Sequence, residues 1–153
     1  MQSAVRTAAV AALAFAAGIA ATHLVKPADA QSMPLTAGAY DLGAMTVDSL
    51  PAPPANSPVQ TLRSRNLVVA DGATVAVQIG TVGKHIHNDA NEIQYVISGG
   101  GTEVLGNQTI ALHPGMLLVI PKGTPHAATT DPNLKILAIK TPPQAASDTH
   151  FVP

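Results

Sequence analysis

Between Thr61 and Thr141 the chain is cut into short pieces rich in Val, Ile, Leu and Thr, with Gly, Pro, Asn or Asp standing between them at short intervals. Pieces such as QTLRSRNLVVADG, TVAVQIGTVG, EIQYVISGGG, MLLVIPKG and LKILAIKTPP have the length of single strands bounded by turn residues. No window carries an apolar stripe at the helical period of about 3.6 residues. The spacing therefore predicts an all-β domain over residues 61–140, with eight or so strands and little helix. Strands of this length and number fold into a double sheet or jelly-roll barrel, which blunts exposed edges by closing on itself. Turns are expected at Asp71-Gly72, at Asn88 to Asn91, at Gly99 to Gly101, and at Pro121 to Thr124.

The flanks read differently. Residues 1–30 carry Arg6, an alanine-rich apolar run, and then Ala28-Asp29-Ala30, the small-x-small pattern of a signal peptidase site. A cleaved secretory signal is expected, and a periplasmic or secreted domain with it; an uncleaved anchor is the alternative, since the run approaches the roughly 20 residues that span a bilayer. After cleavage no membrane span is expected. Residues 31–60 hold Pro34, Pro51, Pro53, Pro54 and Pro58 and are read as an arm with at most a short strand near Ala44 to Val47. Residues 141–153 are read as a closing tail rather than a strand.

Six basic and eight acidic side chains remain after residue 30, so there is no electrostatic footprint for nucleic acid or anionic lipid. There is no cysteine. An exported domain of this size must then hold together by its core alone, and a homodimer would bury more surface.

The scarce polar residues are concentrated in HIHNDANEIQYVISG. In a strand His85 and His87 point to one side, about 6.6 Å apart along the backbone. Asn88 to Asn91 turns the chain as a hairpin, Glu92 follows near His87, and the alternation puts Gln94 on the face of Glu92 and Tyr95 on the other. Further on, IPKGTPH bends the chain before His126. Three imidazoles and one carboxylate make a mixed nitrogen and oxygen site suited to Fe, Mn, Ni, Co, Cu or Zn and unsuited to calcium.

GTVGKHIHNDANEIQYVISG and GMLLVIPKGTPH resemble the two motifs of the cupin superfamily. In the first, His85 and His87 are followed by Glu92 and Gly99; in the second, Gly115 is followed by Pro121, Gly123 and His126, with fifteen residues between Gly99 and Gly115. Gly80 stands one position nearer the histidine pair than the usual pattern, and Thr130 replaces a frequent asparagine. The resemblance implies a cupin double-stranded β-helix holding one divalent transition metal on His85, His87, Glu92 and His126, with Glu92 also able to accept a proton in catalysis.

Three functions are compatible with such a site. One is a dioxygenase-type oxidoreductase acting on a small phenolic, enol or diketone-like substrate, with a pocket rim of Val75, Val77, Val96, Leu118, Ile120, Ile136 and Ala138. Another is a non-catalytic module binding a metal or small molecule. The third is a metal-dependent isomerase or lyase on a sugar-like or keto acid substrate. Against the third, the motif region offers only Lys84 and Lys122, both expected to point outward; against the first, no second acid or base is evident near the metal. Gln94 is a pocket candidate, because a buried amide without a partner would cost about 1–3 kcal/mol. His113 and His150 are expected at the surface, and Arg63 and Arg65 in surface or dimer salt links.

Overall fold

The computed structural model describes residues 35–70 and 72–153. Residues 1–30, where a secretory signal is expected, lie outside the described residues. Ten strands form two antiparallel sheets: β1 (Leu62–Ala70), β2 (Ala73–Gly80), β3 (His85–Ile86), β4 (Asn91–Ser98), β5 (Thr102–Leu105), β6 (Gln108–Ala111), β7 (Leu117–Ile120), β8 (His126–Ala128), β9 (Lys135–Thr141) and β10 (His150–Phe151). One sheet runs in the order β1-β2-β9-β4-β7 and the other β10-β3-β8-β5-β6. Apart from the hairpins β1–β2 and β5–β6, successive strands pass between the sheets, which gives the all-β jelly roll that the turn rhythm predicts. Among the described residues no helix is long and apolar enough to cross a membrane.

Alternation sorts each strand. The inner faces of β4, β7 and β9 carry Val96, Leu118, Ile120, Ile136 and Ala138, which pack with Leu112, Ala128 and Leu134 between the sheets. A second apolar layer lies on the outside of the first sheet, where Leu50, Leu67, Val77 and Ile79 pack with Leu42, Met45 and Leu137. Leu50 is only 2 % exposed there; burying such a side chain stabilises by about 2 kcal/mol.

The proline-rich arm is thus the cover of that outer face. Lys135 Nζ donates to the carbonyls of Leu42 and Gly43 at 3.1 and 3.0 Å, Arg63 Nη1 to Leu50 at 3.1 Å, and the Tyr40 hydroxyl to Leu67 at 3.2 Å. No strand forms at residues 44–47; a short 3-10 helix, Val47–Ser49, takes its place. Arg63 is thus tied to the arm.

This outer layer also corrects the expected pocket rim. On β2 the inward residues are Thr74, Ala76 and Gln78, so Val77 faces the arm, and Val75 shares its side. An apolar alternation marks two faces here, because both faces of β2 are covered. By contrast the outer face of β4 and β7 leaves Tyr95, Leu117 and Val119 exposed.

Two glycines fix corners. Gly80 ends β2 at φ +125°, where a Cβ would fall 2.0 Å from the Thr61 carbonyl oxygen. Gly99 ends β4 at φ +82°, and a Cβ there would meet Asn133 O and Leu134 Cα at 2.8 Å. Only glycine combines that backbone conformation with such close approach.

The tail is more than an arm. Its β10 pairs with β3, His150 opposite Ile86 and Phe151 opposite His85.

Candidate metal centre

His85 and His126 face each other across the β3 and β8 ladder, with ring centroids 4.1 Å apart. His87 follows just beyond β3, its ring 4.9 Å from His85 and 5.2 Å from His126. The three rings bring nitrogens within 4.8 Å of one another, and all three side chains are buried.

Each ring is pinned from behind. The Nδ1–H of His85 donates to Gly83 O at 2.8 Å and that of His126 to Thr124 O at 3.0 Å. That of His87 donates to Asp148 O. A carbonyl only accepts, so these bonds set the tautomer of His85 and His126 and leave each Nε2 with a free lone pair; at His87 the Gln144 amide nitrogen also approaches Nδ1, at 2.9 Å. Outward Nδ1–H bonds to carbonyls, with bare Nε2 atoms converging, are the second shell of a metal-binding histidine.

Glu92 opens β4, which lies in the other sheet from β3. The segment 88–90 is therefore a corner between sheets and not a hairpin, and Glu92 reaches across the interior. Its Oε2 lies 3.0 Å from His87 Nε2 and 3.4 Å from His126 Nε2. A carboxylate oxygen against two imidazole lone pairs is unfavourable unless a proton or a cation stands between them. His126 Nε2 is fully buried with no hydrogen-bond partner. That orphaned nitrogen, and a donor set of three nitrogens with one carboxylate, fit a divalent transition metal held by His85, His87, His126 and Glu92.

Electrostatics divide the group. Burial pushes His85 down, and His126 beside it adds to that, so its pKa falls from 6.5 to about 4. For Glu92, burial pushes upward but is outweighed by Lys140 and by the imidazoles of His126 and His87, so the carboxyl is held well below its usual range. Both shifts favour the states that bind a metal: neutral imidazole and ionised carboxylate.

His85 and Glu92 lie in the wall of a cavity that Gln94, Val82, Leu134 and Ile136 also line. Gln94 donates from Nε2 to Glu92 Oε1 at 3.1 Å. His113 is exposed, and His150 is half-exposed with Nε2 3.6 Å from Asp148 Oδ1.

Three residues that sequence reasoning missed matter here. Lys140 is buried with Nζ 3.5 Å from Glu92 Oε2, and it accompanies Gln144 in lining the cavity. Glu103 is 0 % exposed, with neither carboxyl oxygen hydrogen-bonded. So Lys84 and Lys122 do not exhaust the basic groups, and the interior does hold a second acid. Lys140 had a signal, since it continues the inward series Ile136, Ala138 at the spacing of two. The third is Asp148, 2 % exposed, whose carboxylate accepts from the amides of Asn88, Asp89 and Ala90 at 2.7, 3.2 and 3.1 Å. It clamps the tail to the corner that carries His87.

Residues 73–140 match the family described as Cupin domain. An uncharacterized protein of Methanocaldococcus jannaschii is 34 % identical over 70 residues, which are 44 % of this chain and 56 % of that protein. The match thus spans about half of that relative's length. Among solved structures, the Streptomyces protein PAC13 with uridine aligns with TM-score 0.54 at 18 % identity, covering 71 % of this chain and 88 % of the other. Pac13 is described as a nucleoside dehydratase. KdgF from Halomonas sp. aligns with TM-score 0.51 at 19 % identity, covering 58 % and 86 %. At such identities the likeness shows the fold alone, the cupin double-stranded β-helix. Together with the family match over residues 73–140 it supports the cupin fold for that part of the chain.

Proposed function

We propose that this chain is a metal-dependent cupin enzyme, a dioxygenase-type oxidoreductase that acts on a small enol, diketone-like or phenolic substrate outside the cytoplasm. The observation that carries the metal reading is the set of three imidazoles, each pinned through Nδ1, with the orphaned Nε2 of His126 among them. A divalent transition metal on His85, His87, Glu92 and His126 would supply a Lewis acid and, if redox-active, a centre for oxygen chemistry. The signal-like residues 1–30 support the location.

The chain's own groups suit such a substrate. Val82, Leu134 and Ile136 offer an apolar wall for its body. Glu92 lines the cavity and is the group placed to take the proton of a bound enol. Lys140 holds it ionised, and a substrate oxygen that drew Lys140 away would raise its proton affinity.

A second reading, an isomerase or lyase, is favoured by Lys140, which puts an ammonium in the wall of the cavity beside Glu92, where acid-base chemistry needs it.

Elemental analysis of purified protein should find about one transition metal per chain, and His126→Ala should lose most of it. Negligible metal after reconstitution would end the metal reading. Oxygen uptake with catechols, flavonols and β-diketones would support the oxidoreductase. Metal-dependent substrate conversion without uptake would support the isomerase or lyase, and saturable binding without conversion would support a module that only binds.

A further inference from the structure

The outer face of the first sheet is apolar from β2 to β7, and the chain covers only part of it. Two rows of side chains cross it. In one, Tyr95 stands between Leu117 of β7 and Leu137 of β9, and Leu137 stands opposite Val77 of β2. In the other, Ile93 stands between Val119 and Ile139, and Ile139 opposite Val75. The arm lies over the β1, β2 and β9 end, where Leu50, Leu42 and Met45 pack with Val77 and Leu137 and Lys135 of β9 holds the carbonyls of Leu42 and Gly43. Beyond β9 the same rows run bare. Tyr95 is 44 % exposed there, Leu117 62 % and Val119 60 %.

Those three side chains leave roughly 300 Å² of apolar surface in water, the size of patch that marks an interaction site. No charge interrupts it, since the outward positions of the bare rows are Ile93, Tyr95, Leu117 and Val119. The exposed polar pair Asn91 and Thr141 borders it at one end, as a rim borders the core of an interface. A partner recognised by charge finds no handle on such a surface. A second copy does, because an apolar patch is complementary to itself.

The arm fixes how two copies can meet. It adds a layer over β1, β2 and β9, so the outer face is a step, high over those strands and low over β4 and β7. Packed sheets stand about 10 Å apart, roughly the thickness of such a layer. The two low halves can then close on each other with the two-fold axis running along the strands between β4 and β7. An axis across the strands would drive each arm into the other sheet. About the permitted axis, β4 of one copy lies over β7 of the other. Tyr95 and Leu117 stand at one level and Ile93 and Val119 at another, so Tyr95 meets Leu117 of the partner subunit and Ile93 meets Val119 of the partner subunit. β7 is an edge strand, and each arm comes alongside the other copy's β7 edge. The arms thereby supply the rest of the roughly 800 Å² per partner that a specific interface buries.

We propose that the bare outer face of β4 and β7 is the interface with a second copy of this chain, sheet on sheet, with Tyr95 against Leu117 across a two-fold axis. This is independent of the metal reading, whose Glu92 lies on the opposite face of β4.

The test is sedimentation equilibrium of the purified full chain over a dilution series, with circular dichroism to check the fold of each variant. Wild type should be a dimer. Leu117→Glu and Tyr95→Lys, each alone, set a charge against an apolar side chain and should weaken association at least about 100-fold, equivalent to about 2.8 kcal/mol. Mixed in equal amounts, these two variants should recover a heterodimer, because the axis puts the new carboxylate opposite the new ammonium. Leu117→Glu mixed with Leu117→Lys should not. Monomeric wild type overturns the proposal, whether it stays free or binds phosphatidylcholine vesicles. Association that survives both single substitutions overturns it as well, and so does a mixture of Leu117→Glu and Tyr95→Lys that stays monomeric. If the variants do not fold, hydrogen exchange of wild type decides: dilution should speed exchange of the β7 amides and leave those of β6 unchanged, and β7 rates that do not depend on concentration overturn the assignment.

Discussion

Replacing Glu103 by glutamine should remove a loss of stability that otherwise accompanies rising pH. Glu103 stands on β5 opposite Ala128, 0 % exposed, with both carboxyl oxygens unpartnered. Burial raises its pKa from 4.5 to about 7, His126 nearby pulls it down in part, and the Glu92 charge adds to the rise. The folded state therefore keeps a proton between pH 4.5 and 7 that the unfolded chain has given up. Stability linked to this group is complete below 4.5, falls as pH rises to about 7, and is flat above. At about 1.4 kcal/mol per pH interval, the loss sums to about 3 kcal/mol. An amide of the same shape does not titrate. Urea denaturation of the metal-free full chain at pH 5 and pH 8 should show Glu103→Gln gaining about 3 kcal/mol on wild type between the two. His85 titrates in part of that window, but it is common to both proteins and drops out of the difference. A difference below about 0.5 kcal/mol, the size of an ordinary surface substitution, would refute the claim that the carboxyl is buried and unpaired.

Other consequences can be checked as directly. Asp148→Ala removes the acceptor of three amides and should cost about 3 kcal/mol in chemical denaturation, and should weaken metal binding about 10- to 100-fold in a chelator titration because the His87 support moves with the tail. Unchanged stability would mean the tail is not clamped. Gly80→Ala, with its Cβ driven onto the Thr61 carbonyl, should fail to give soluble folded protein, whereas Gly72→Ala, at φ +81° but in open space, should cost only about 1 kcal/mol. Circular dichroism of the two variants separates close approach from conformational preference. In metal-free protein His85 is neutral when folded down to about pH 4 while the unfolded chain protonates from 6.5, so stability present above 6.5 should be lost by about 3 kcal/mol as pH falls to 4. The stability difference between wild type and His85→Gln should therefore change by about 3 kcal/mol between pH 4 and 6.5, and a difference that stays constant would show that His85 is not its source.

How far the site was legible follows from how local each signal is. His85, His87, Glu92 and Gln94 lie within ten residues, and His126 follows a bend of Pro and Gly, so strand alternation and motif spacing reach all five. Val75 and Val77 were assigned to the wrong side because alternation gives two faces without saying which is inside. The arm, through Leu50 and its neighbours, made the outer face apolar as well. Glu103 was hidden for a related reason: a charged residue in a short strand is ordinarily solvated, and its burial depends on the sheet across from it.

By itself the sequence determined the strand and turn rhythm, the all-β architecture and the identity of the imidazole cluster, because each is encoded within a few residues of itself. Only the tertiary structure decided that Lys140 shares a cavity with Glu92, that Glu103 is sealed inside, and that Asp148 clamps amides 58 to 60 positions earlier. The first joins directly paired residues of β4 and β9 in one sheet, the second depends on the facing sheet, and the third brings in the distant tail; no periodicity records them. They exist because closing the barrel brings separate strands within hydrogen-bond reach.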